Sequence, residues 1–294
     1  MEVHEPKAPW GGSWTEKKLQ AFIKYVKAYL TIMNKHPWKT IYFDGFAGSG
    51  DRTGETSDLA VQLSILPQEE KVYQGAAERV LDIEGYSFDY YYFIDQDKDA
   101  IDSLEAYLKS LPQSKGKTLR FLRGDCNEYL DKLAQTLKKT PSYAALVFLD
   151  PFGMQINWDA ISNLKGTRSD IWILVPTGVI INRLLDRRGT LKNIKKLERF
   201  FGMEEAKIRD YFYKTERRPT LFGETETSSK VSNAVEQIAN LYIKRLEEVW
   251  SHVSPTPLRL LNSKNFPIFH FVFASNNATA LKIASQIIDK SKRP

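Results

Sequence analysis

The sequence predicts an α/β fold in which helices cover both faces of a mainly parallel sheet. Short apolar runs rich in β-branched and aromatic residues alternate with segments of helical periodicity, which is typical of a parallel sheet. An acidic or glycine-containing motif follows each of the first four strand-like runs, and such folds bind ligands at the carboxyl ends of their strands. With 294 residues, the chain is long enough for one large domain or for one domain with an insertion.

The elements of this fold can be assigned in chain order. Residues 1–12 are rich in proline and glycine and predict an irregular arm, after which apolar residues recur at helical spacing over 14–34. The predicted strands of the sheet are 40–44, 88–94, 118–122, 144–149 and 170–175. The predicted helices between them are 57–66, 98–111 and 128–139, whereas residues 67–85 are expected to be irregular.

The segment after the fifth strand, residues 179–250, is charged and helical in pattern, without a recognisable strand. It therefore predicts a helical insertion, after which two closing strands (258–261 and 268–274) and a helix (278–290) complete the chain. The expected organisation is an N-terminal arm and helix over 1–36, a core over 37–178, the insertion over 179–254, and a closing segment over 255–294 that returns to the core.

Composition excludes several classes of protein. Hydrophobic residues make up 42% of the chain and charged residues 27%, as in ordinary soluble globular proteins. Because Cys126 is the single cysteine and the four histidines are scattered, we expect no disulfide and no metal site. No apolar run is long enough to span a bilayer, and the N-terminus lacks the features of a signal peptide, so we expect a cytoplasmic protein.

Positive charge is concentrated in one part of the chain. The net charge is +6, and residues 182–219 contain twelve Lys or Arg and six Asp or Glu, an excess equal to that of the whole chain. This region is either a solvated helical face or a docking surface for an anionic polymer. On the second interpretation, the candidate nucleic-acid-binding residues are Arg187, Arg188, Lys195 and Lys196.

A glycine-rich motif ends the first strand: Tyr42-Phe43-Asp44-Gly45-Phe46-Ala47-Gly48-Ser49-Gly50. Its spacing differs from the G-x-G-x-x-G of dinucleotide-binding enzymes, which argues against a nicotinamide oxidoreductase, as does the missing catalytic His or Tyr–Lys signature. The motif resembles the first motif of class I S-adenosylmethionine (SAM)-dependent methyltransferases. That resemblance implies SAM as the cofactor and a Rossmann-like fold with a seven-stranded, mainly parallel sheet, an antiparallel C-terminal strand and the helical insertion.

With SAM as the ligand, each strand-end group acquires an expected role. Asp44 would face the methionine ammonium, and Asp95, or Asp97 if the turn is one residue longer, would accept from the ribose hydroxyls. Asp125 would accept from adenine N6, with the Cys126 backbone N–H at the ring. The remaining candidate cofactor-binding residues are Gly45, Phe46, Ala47, Gly48 and Gly50 around the sulfonium and tail, and Lys18 of the first helix. Each acid, taken alone, can instead be a helix N-cap or a turn residue.

The fourth strand ends in Asp150-Pro151-Phe152-Gly153. This resembles the motif of nucleic-acid amino-methyltransferases, in which an acid, Asn or Ser precedes Pro-Pro and an aromatic residue. The resemblance implies that Asp150 and the Pro151 carbonyl accept the hydrogens of the target amine, while Phe152 stacks on a flipped base. The second proline is missing and Gly153 follows Phe152, so a simple proline turn is the alternative. Cytosine C5 methylation is disfavoured because the only thiol, Cys126, follows strand three instead of strand four.

Four segments together resemble the three-Cys-motif partner protein family: Trp14-Thr15-Glu16-Lys17-Lys18-Leu19, the motif over 42–50, Phe148-Leu149-Asp150-Pro151-Phe152-Gly153 and Phe271-Val272-Phe273-Ala274-Ser275. The resemblance implies a methyltransferase-like fold, a bacterial or phage setting and a separate partner with a three-cysteine motif. Two functions therefore stay open. One is a SAM-dependent methyltransferase acting on a base nitrogen of DNA or RNA, and the other is a partner subunit without independent catalysis.

Overall fold

The computed structural model describes residues 13–48, 69–186, 189, 191, 193–220, 223–262 and 264–292. Its strands are β1 (Lys39–Asp44), β2 (Tyr90–Asp95), β3 (Leu119–Arg123), β4 (Tyr143–Leu149), β5 (Ser169–Val175), β6 (Tyr213–Thr220), β7 (Gly223–Lys230), β8 (His252–Val253), β9 (Leu258–Leu261) and β10 (Pro267–Ser275). Its α-helices are α1 (Ser13–Met33), α2 (Glu69–Leu81), α3 (Lys98–Ser110), α4 (Cys126–Lys139), α5 (Trp158–Ser162), α6 (Asn182–Leu184), α7 (Ile194–Phe201), α8 (Glu205–Phe212), α9 (Ala234–Leu246) and α10 (Ala278–Lys292). A 3₁₀ turn (Pro112–Ser114) precedes β3, and a π-helical turn (Thr177–Ile181) follows β5.

Eight strands of the described chain form one sheet in the order β3-β2-β1-β4-β5-β10-β8, with β9 also paired to β10. β1 lies at the centre and pairs in parallel with β2 and β4, and the pairs β2–β3 and β4–β5 are parallel as well. β10 runs antiparallel to β5, β8 and β9. The expected α/β fold with a mainly parallel sheet is thus confirmed. The sheet has eight strands where seven were expected, since β8 adds a pair of residues beside β10.

Alternating side chains of the strands supply two apolar cores, one on each face of the sheet. Tyr42, Phe148 and Trp172 belong to the core that α1 covers, and Phe22 of that helix stacks on Phe148 with ring centroids 4.2 Å apart. The neighbouring residues of the same strands point to the other core, which α4 and α9 cover. Both faces are therefore buried, which explains why β4 from residue 144 and β5 from residue 171 are continuously apolar. The acidic side chains of the parallel strands lie at the strand ends or next to them.

Two segments differ from the sequence-based expectation. Residues 69–81 form α2 where irregular chain was expected; two of its buried residues, Ala76 and Ala77, are small and add little to the apolar periodicity. The segment predicted to be a helical insertion contains the hairpin β6–β7 in addition to helices. Its strands consist largely of Thr, Ser and charged residues, so they carry no apolar alternation that would predict strands. The predicted irregular arm over 1–12 and helix over 57–66 lie outside the described residues.

Candidate functional site at the carboxyl edge of the sheet

Four acids gather at the carboxyl edge of the parallel strands. Asp44 and Asp95 are the last residues of β1 and β2, and Asp125 and Asp150 follow the ends of β3 and β4 within two residues. Because β1 lies between β2 and β4, Asp44 lies between Asp95 and Asp150. The strand register pairs Asp44 with Phe93 and with Phe148, which lie two residues before Asp95 and Asp150, so the three carboxyls lie at neighbouring strand ends. This edge is where ligands of doubly wound folds bind.

Asp44 is fully buried at the start of the turn after β1. One carboxylate oxygen accepts from the Phe46 backbone N–H at 3.3 Å and the other from the Tyr42 hydroxyl at 3.1 Å. Burial raises its pKa to about 7, and the charges of Asp150 and Asp95 act in the same direction. Among the described residues, no Lys or Arg pairs with this carboxyl. A cationic group would thus be a favourable neighbour for it.

The turn after β1 is attached to both neighbouring strands. The Gly45 N–H donates to the Phe148 carbonyl at 3.1 Å, and the Ala47 N–H donates to the Ile94 carbonyl at 2.8 Å. A Cβ added at Gly45 would lie 2.5 Å from the Cys126 sulfur. Gly45 is therefore required for close packing against α4, whatever ligand the turn holds. Gly50, the last glycine of the motif, lies outside the described residues.

Asp95 binds the turn directly. One of its oxygens accepts from the Gly48 N–H at 3.0 Å and the other from the Asp97 N–H at 2.8 Å. A Cβ on Gly48 would lie 3.0 Å from that carboxyl group and 2.9 Å from Ala100 Cβ, so the site requires glycine there. Burial raises the pKa of Asp95. The partly exposed carboxylate thus links the β1 turn to the start of α3.

Asp97, the alternative ribose ligand, is the N-cap of α3. Its carboxylate accepts from the backbone N–H groups of Asp99 at 2.8 Å and Ala100 at 3.1 Å. Capping accounts for an acid at this position without any ligand. Both Asp95 and Asp97 thus already accept from backbone N–H groups, and the choice between them as ribose ligand stays a prediction.

Asp125 is also an N-cap, at the start of α4. It accepts from the backbone and side-chain amides of Asn127, both at 2.8 Å. Asn127 in turn donates to the Gln155 carbonyl at 2.9 Å and accepts from the Asn157 N–H at 2.8 Å, which fixes the loop after β4. Sequence reasoning missed this bridging role of Asn127. The adjacent Cys126 is buried, and burial raises its thiol pKa well above the usual range, so it is a packing residue and a poor nucleophile.

Asp150 forms a buried ion pair with Lys18 of α1. Both residues are almost fully buried, at 4% and 3% exposed, and the Lys18 ammonium also lies 5.4 Å from the centre of the Trp14 ring. Lys18 was expected to bind the cofactor. In the structure it pairs instead with Asp150, the acid expected to orient the acceptor. The pairing joins residues 132 positions apart in sequence.

The loop after Asp150 packs against the π-helical turn that follows β5. Pro151 is buried, Phe152 is partly exposed, and a Cβ at Gly153 would lie at an ordinary 3.5 Å from the end of Ile180. The Gly153 N–H donates to the Gln155 side chain at 3.1 Å. Phe152 occupies the position of the second proline, and Gly153 occupies that of the aromatic residue. The loop after β4 therefore differs from the Pro-Pro motif of the amino-methyltransferases.

A second aromatic residue, Phe266, lies at the same edge and was missed by sequence reasoning. It is 43% exposed in the turn between β9 and β10. A Cβ added at Gly178 would lie 3.0 Å from the Phe266 ring and 2.0 Å from the Pro267 carbonyl oxygen, so the turn after β5 closely approaches this hairpin. The only sequence signal for Phe266 is an aromatic residue in an otherwise polar connection between two strands.

Of the four candidate nucleic-acid-binding residues, two can be placed. Lys195 and Lys196 are exposed on α7, whose opposite face buries Leu197 and Phe200. Arg187 and Arg188 lie outside the described residues. Within the part of the chain that the structure describes, no cluster of His, Cys, Asp or Glu could hold a metal ion. None of the helices in that part is sufficiently long and apolar to cross a bilayer.

Comparison with known proteins gives distant likenesses only. The sequence matches no protein-family model and no curated protein. Protein LPL1258 from Legionella pneumophila str. Philadelphia 1, assigned to DUF519, is 15% identical, with 91% of this chain and 99% of that chain covered and a TM-score of 0.40. The plantazolicin methyltransferase BpumL, solved with a triazolic desmethylPZN analog and SAH, is 12% identical, with 89% and 86% covered and a TM-score of 0.27. Both TM-scores are too low to establish a fold or an activity for this chain.

Proposed function

We propose that the chain is a SAM-dependent methyltransferase acting on a base nitrogen of a nucleic acid. The observation that carries the proposal is the arrangement of Asp44 and Asp95 around the β1 turn. One is a buried carboxyl with no cationic partner among the described residues, and the other accepts the Gly48 N–H at the end of the adjacent strand. An ammonium and a ribose diol on one small ligand match these two acids at their positions in the sheet.

The donor set of the edge fits SAM. In our proposal Asp44 accepts from the methionine ammonium, and Asp95 accepts from the ribose hydroxyls in place of one of its backbone donors. Phe46, Ala47 and Gly48 form the turn around the tail. Adenine lies beside the Asp125–Cys126 backbone at the start of α4, where burial of the Cys126 thiol leaves no competing nucleophile.

Bound SAM would supply a methyl group on a positively charged sulfur, so the protein must chiefly position the acceptor nitrogen. Asp150 and the Pro151 carbonyl accept hydrogens from the amine, which directs its lone pair away from them. Lys18 holds the buried Asp150 side chain in one orientation. The partly exposed Phe152 and Phe266 offer aromatic surfaces for a planar base.

One observation favours the second function, a partner subunit of a three-Cys-motif protein. The Asp150 oxygen that would receive an acceptor amine already accepts from Lys18, and Phe152 stands where amino-methyltransferases have a second proline. A chain that binds SAM without transferring its methyl group would fit this arrangement. Catalysis by the isolated chain decides between the two functions.

The primary test is calorimetry of the full chain with S-adenosylhomocysteine (SAH) and with NAD. We expect SAH to bind in the micromolar range and NAD not to bind. Asp95→Asn should weaken SAH binding about tenfold or more through loss of a charged acceptor. Asp97→Asn is the matched control: Asn caps helices as well as Asp does, so both SAH affinity and stability should stay near those of the wild type.

Equal affinity for NAD and SAH, or equal effects of the two substitutions, would contradict the proposal. Transfer of tritiated methyl from SAM to DNA, RNA or a co-purified three-Cys-motif protein then tests catalysis. We expect Asp150→Ala to abolish transfer while SAH affinity stays within a few-fold of wild type. Tight SAH binding without transfer to any of the three would support the partner-subunit function.

A further inference from the structure

A cavity of about 1040 Å³ lies at the edge of the sheet opposite to the candidate functional site. It opens where β4 and β5 begin and where the antiparallel strand β10 ends, between α1, α10 and the last turn of α4. None of the acids at the carboxyl edge lines it. Its size is at the upper end of the range for small-molecule sites, which is roughly 300–1,000 Å³.

A carboxyl group lies within this cavity. Asp170, the second residue of β5, accepts hydrogen bonds from the Tyr25 hydroxyl and the Ser275 hydroxyl, both at 2.5 Å and one on each oxygen. Protein surrounds the carboxyl and burial raises its pKa to about 6, yet the residue remains partly exposed towards the cavity. Within the described chain no Lys or Arg forms an ion pair with it. Each oxygen therefore keeps acceptor capacity for a ligand N–H group.

A hydroxyl without a partner lies beside this acid. Tyr29 also lines the cavity and is 6% exposed, and its hydroxyl makes no hydrogen bond to any described residue. Tyr29 lies one helical turn after Tyr25, the donor to Asp170, and the two tyrosine ring centroids are 6.4 Å apart. Burial raises the pKa of the Tyr29 hydroxyl well above the usual range, and the charge of Asp170 adds to that effect. Buried hydroxyls nearly always find a partner, so this donor is suited to a ligand acceptor.

The mouth of the cavity is basic. Lys35, Lys138 and Lys165 are exposed lining residues, and the Arg168 guanidinium lies 4.1 Å from the centre of the Trp38 ring. Asp170 is the only acid among the lining residues of this described region. The site thus combines internal acceptors, an internal hydroxyl donor, aromatic walls and a cationic rim.

We propose that this cavity binds a guanine nucleotide. Guanine presents a carbonyl oxygen, a ring N–H and an amino group side by side, which match the Tyr29 hydroxyl and the two oxygens of Asp170. Adenine and cytosine present an unprotonated ring nitrogen next to their amino group, and this nitrogen would face the carboxylate lone pairs. The phosphates of the nucleotide lie among the three lysines at the mouth, where cations are concentrated.

The test is calorimetry of the full chain with GDP, inosine diphosphate (IDP) and ADP. Two hydrogen bonds to a charged acceptor separate GDP from ADP, so we expect GDP to bind at least about tenfold more tightly. IDP lacks the amino group and should bind with intermediate affinity. Equal affinities for the three, or no saturable GDP binding, would overturn the proposal without any variant having to fold.

Tyr29→Phe is the most direct variant. It removes an unpartnered buried hydroxyl, so the fold should keep its stability while GDP affinity falls about fivefold or more. Tyr242→Phe is the matched control, because Tyr242 is also fully buried with an unpartnered hydroxyl but lies on α9 outside the cavity lining. Equal GDP affinity of the two variants would contradict the role of Tyr29.

The rim and the base site can be separated with simpler probes. Lys138→Ala/Lys165→Ala should weaken GDP binding about tenfold but leave guanosine binding unchanged. Inorganic pyrophosphate binding as tightly as GDP would show a simple anion patch and overturn the assignment of a base pocket. Asp95→Asn, at the opposite edge, should leave GDP affinity unchanged, so failure of the SAM proposal would not affect this result.

Discussion

Lys18 holds the Asp150 side chain in one orientation, but burying this ion pair is unfavourable to the stability of the fold. Removing two charges from water is expensive, and their attraction recovers that cost only in good geometry. An apolar pair of similar volume would stabilise this interior at least as well. The pair therefore fixes the orientation of Asp150 more than it contributes net stability.

Lys18→Met should lower the free energy of unfolding by about 3–5 kcal/mol, because it leaves the Asp150 carboxylate buried without its cation. Urea denaturation measures this change. Lys109→Met is the control, since it breaks an exposed i,i+4 pair with Glu105 and should cost about 0.5 kcal/mol or less. In Lys18→Met/Asp150→Asn most of the lost stability should return. Equal effects of Lys18→Met and Lys109→Met would show that burial of the pair is energetically unimportant.

Asp44 should make stability depend on pH. Its pKa is about 7 in the folded chain against 3.8 for an ordinary Asp, so between these values the folded state holds a proton that the unfolded state has released. Raising the pH through this interval must then lower the free energy of unfolding, by about 4 kcal/mol in total. Asp44→Asn should remove this decrease. Urea titrations at about pH 4 and about pH 8 measure it.

The Asp44 carboxyl also allows a test of whether a ligand ammonium binds beside it. Bound SAH would place an ammonium near Asp44 and favour its charged form, so SAH affinity should rise between about pH 6 and pH 8. Calorimetry in buffers of different ionisation enthalpy should show proton release on binding, and Asp44→Asn should suppress it. A pH-independent affinity with no proton release would remove Asp44 from the ammonium site.

Among the helices and strands, those with a strong apolar pattern could be predicted from the sequence, whereas those with a weak pattern could not. The runs 144–149 and 170–175 lie within one residue of β4 and β5, because burial on both faces requires continuous apolar residues. The hairpin β6–β7 and helix α2 were missed, since polar Thr-rich strands and small inward-facing residues carry little periodicity. The acids at the strand ends could be predicted from topology, but the pairing of Lys18 with Asp150 depends on tertiary packing alone.

The turn after β1 gives a prediction at this scale. In Gly48→Ala, the new Cβ would press on Ala100 and the Asp95 carboxyl, displacing the group we assign to the ribose, so SAH affinity should fall about tenfold or more. Gly153→Ala is the control, because its Cβ meets only ordinary van der Waals contact at 3.5 Å. Calorimetry should separate the two variants. An unchanged affinity in Gly48→Ala would show that the turn and Asp95 do not form the cofactor site.

For the whole molecule, the distribution of charge carries more information than its total. The excess of basic residues over 182–219 equals the net charge of +6, and this segment follows β5 at the edge where an acceptor would enter. Lys195 and Lys196 extend from α7 into solvent, as expected for both a solvated face and a docking surface. The sequence could locate this basic region. Composition cannot show whether an anionic polymer binds there, because a solvated face and a docking surface require the same exposed lysines.

The salt dependence of DNA binding distinguishes a docking surface from a solvated face. If about four cations of the basic region contact phosphates, log K should fall with log salt with a slope near −3 to −4. Lys195→Glu/Lys196→Glu should remove two contacts, reduce the slope by about 1.8 and weaken binding to all sequences alike, with SAH affinity unchanged. The control is Lys282→Glu/Lys290→Glu, an equal charge change at exposed positions of α10. Fluorescence anisotropy with labelled DNA and RNA measures both slopes. If the two double variants lose the same small amount of affinity, binding follows net charge alone, and residues 182–219 form a solvated face.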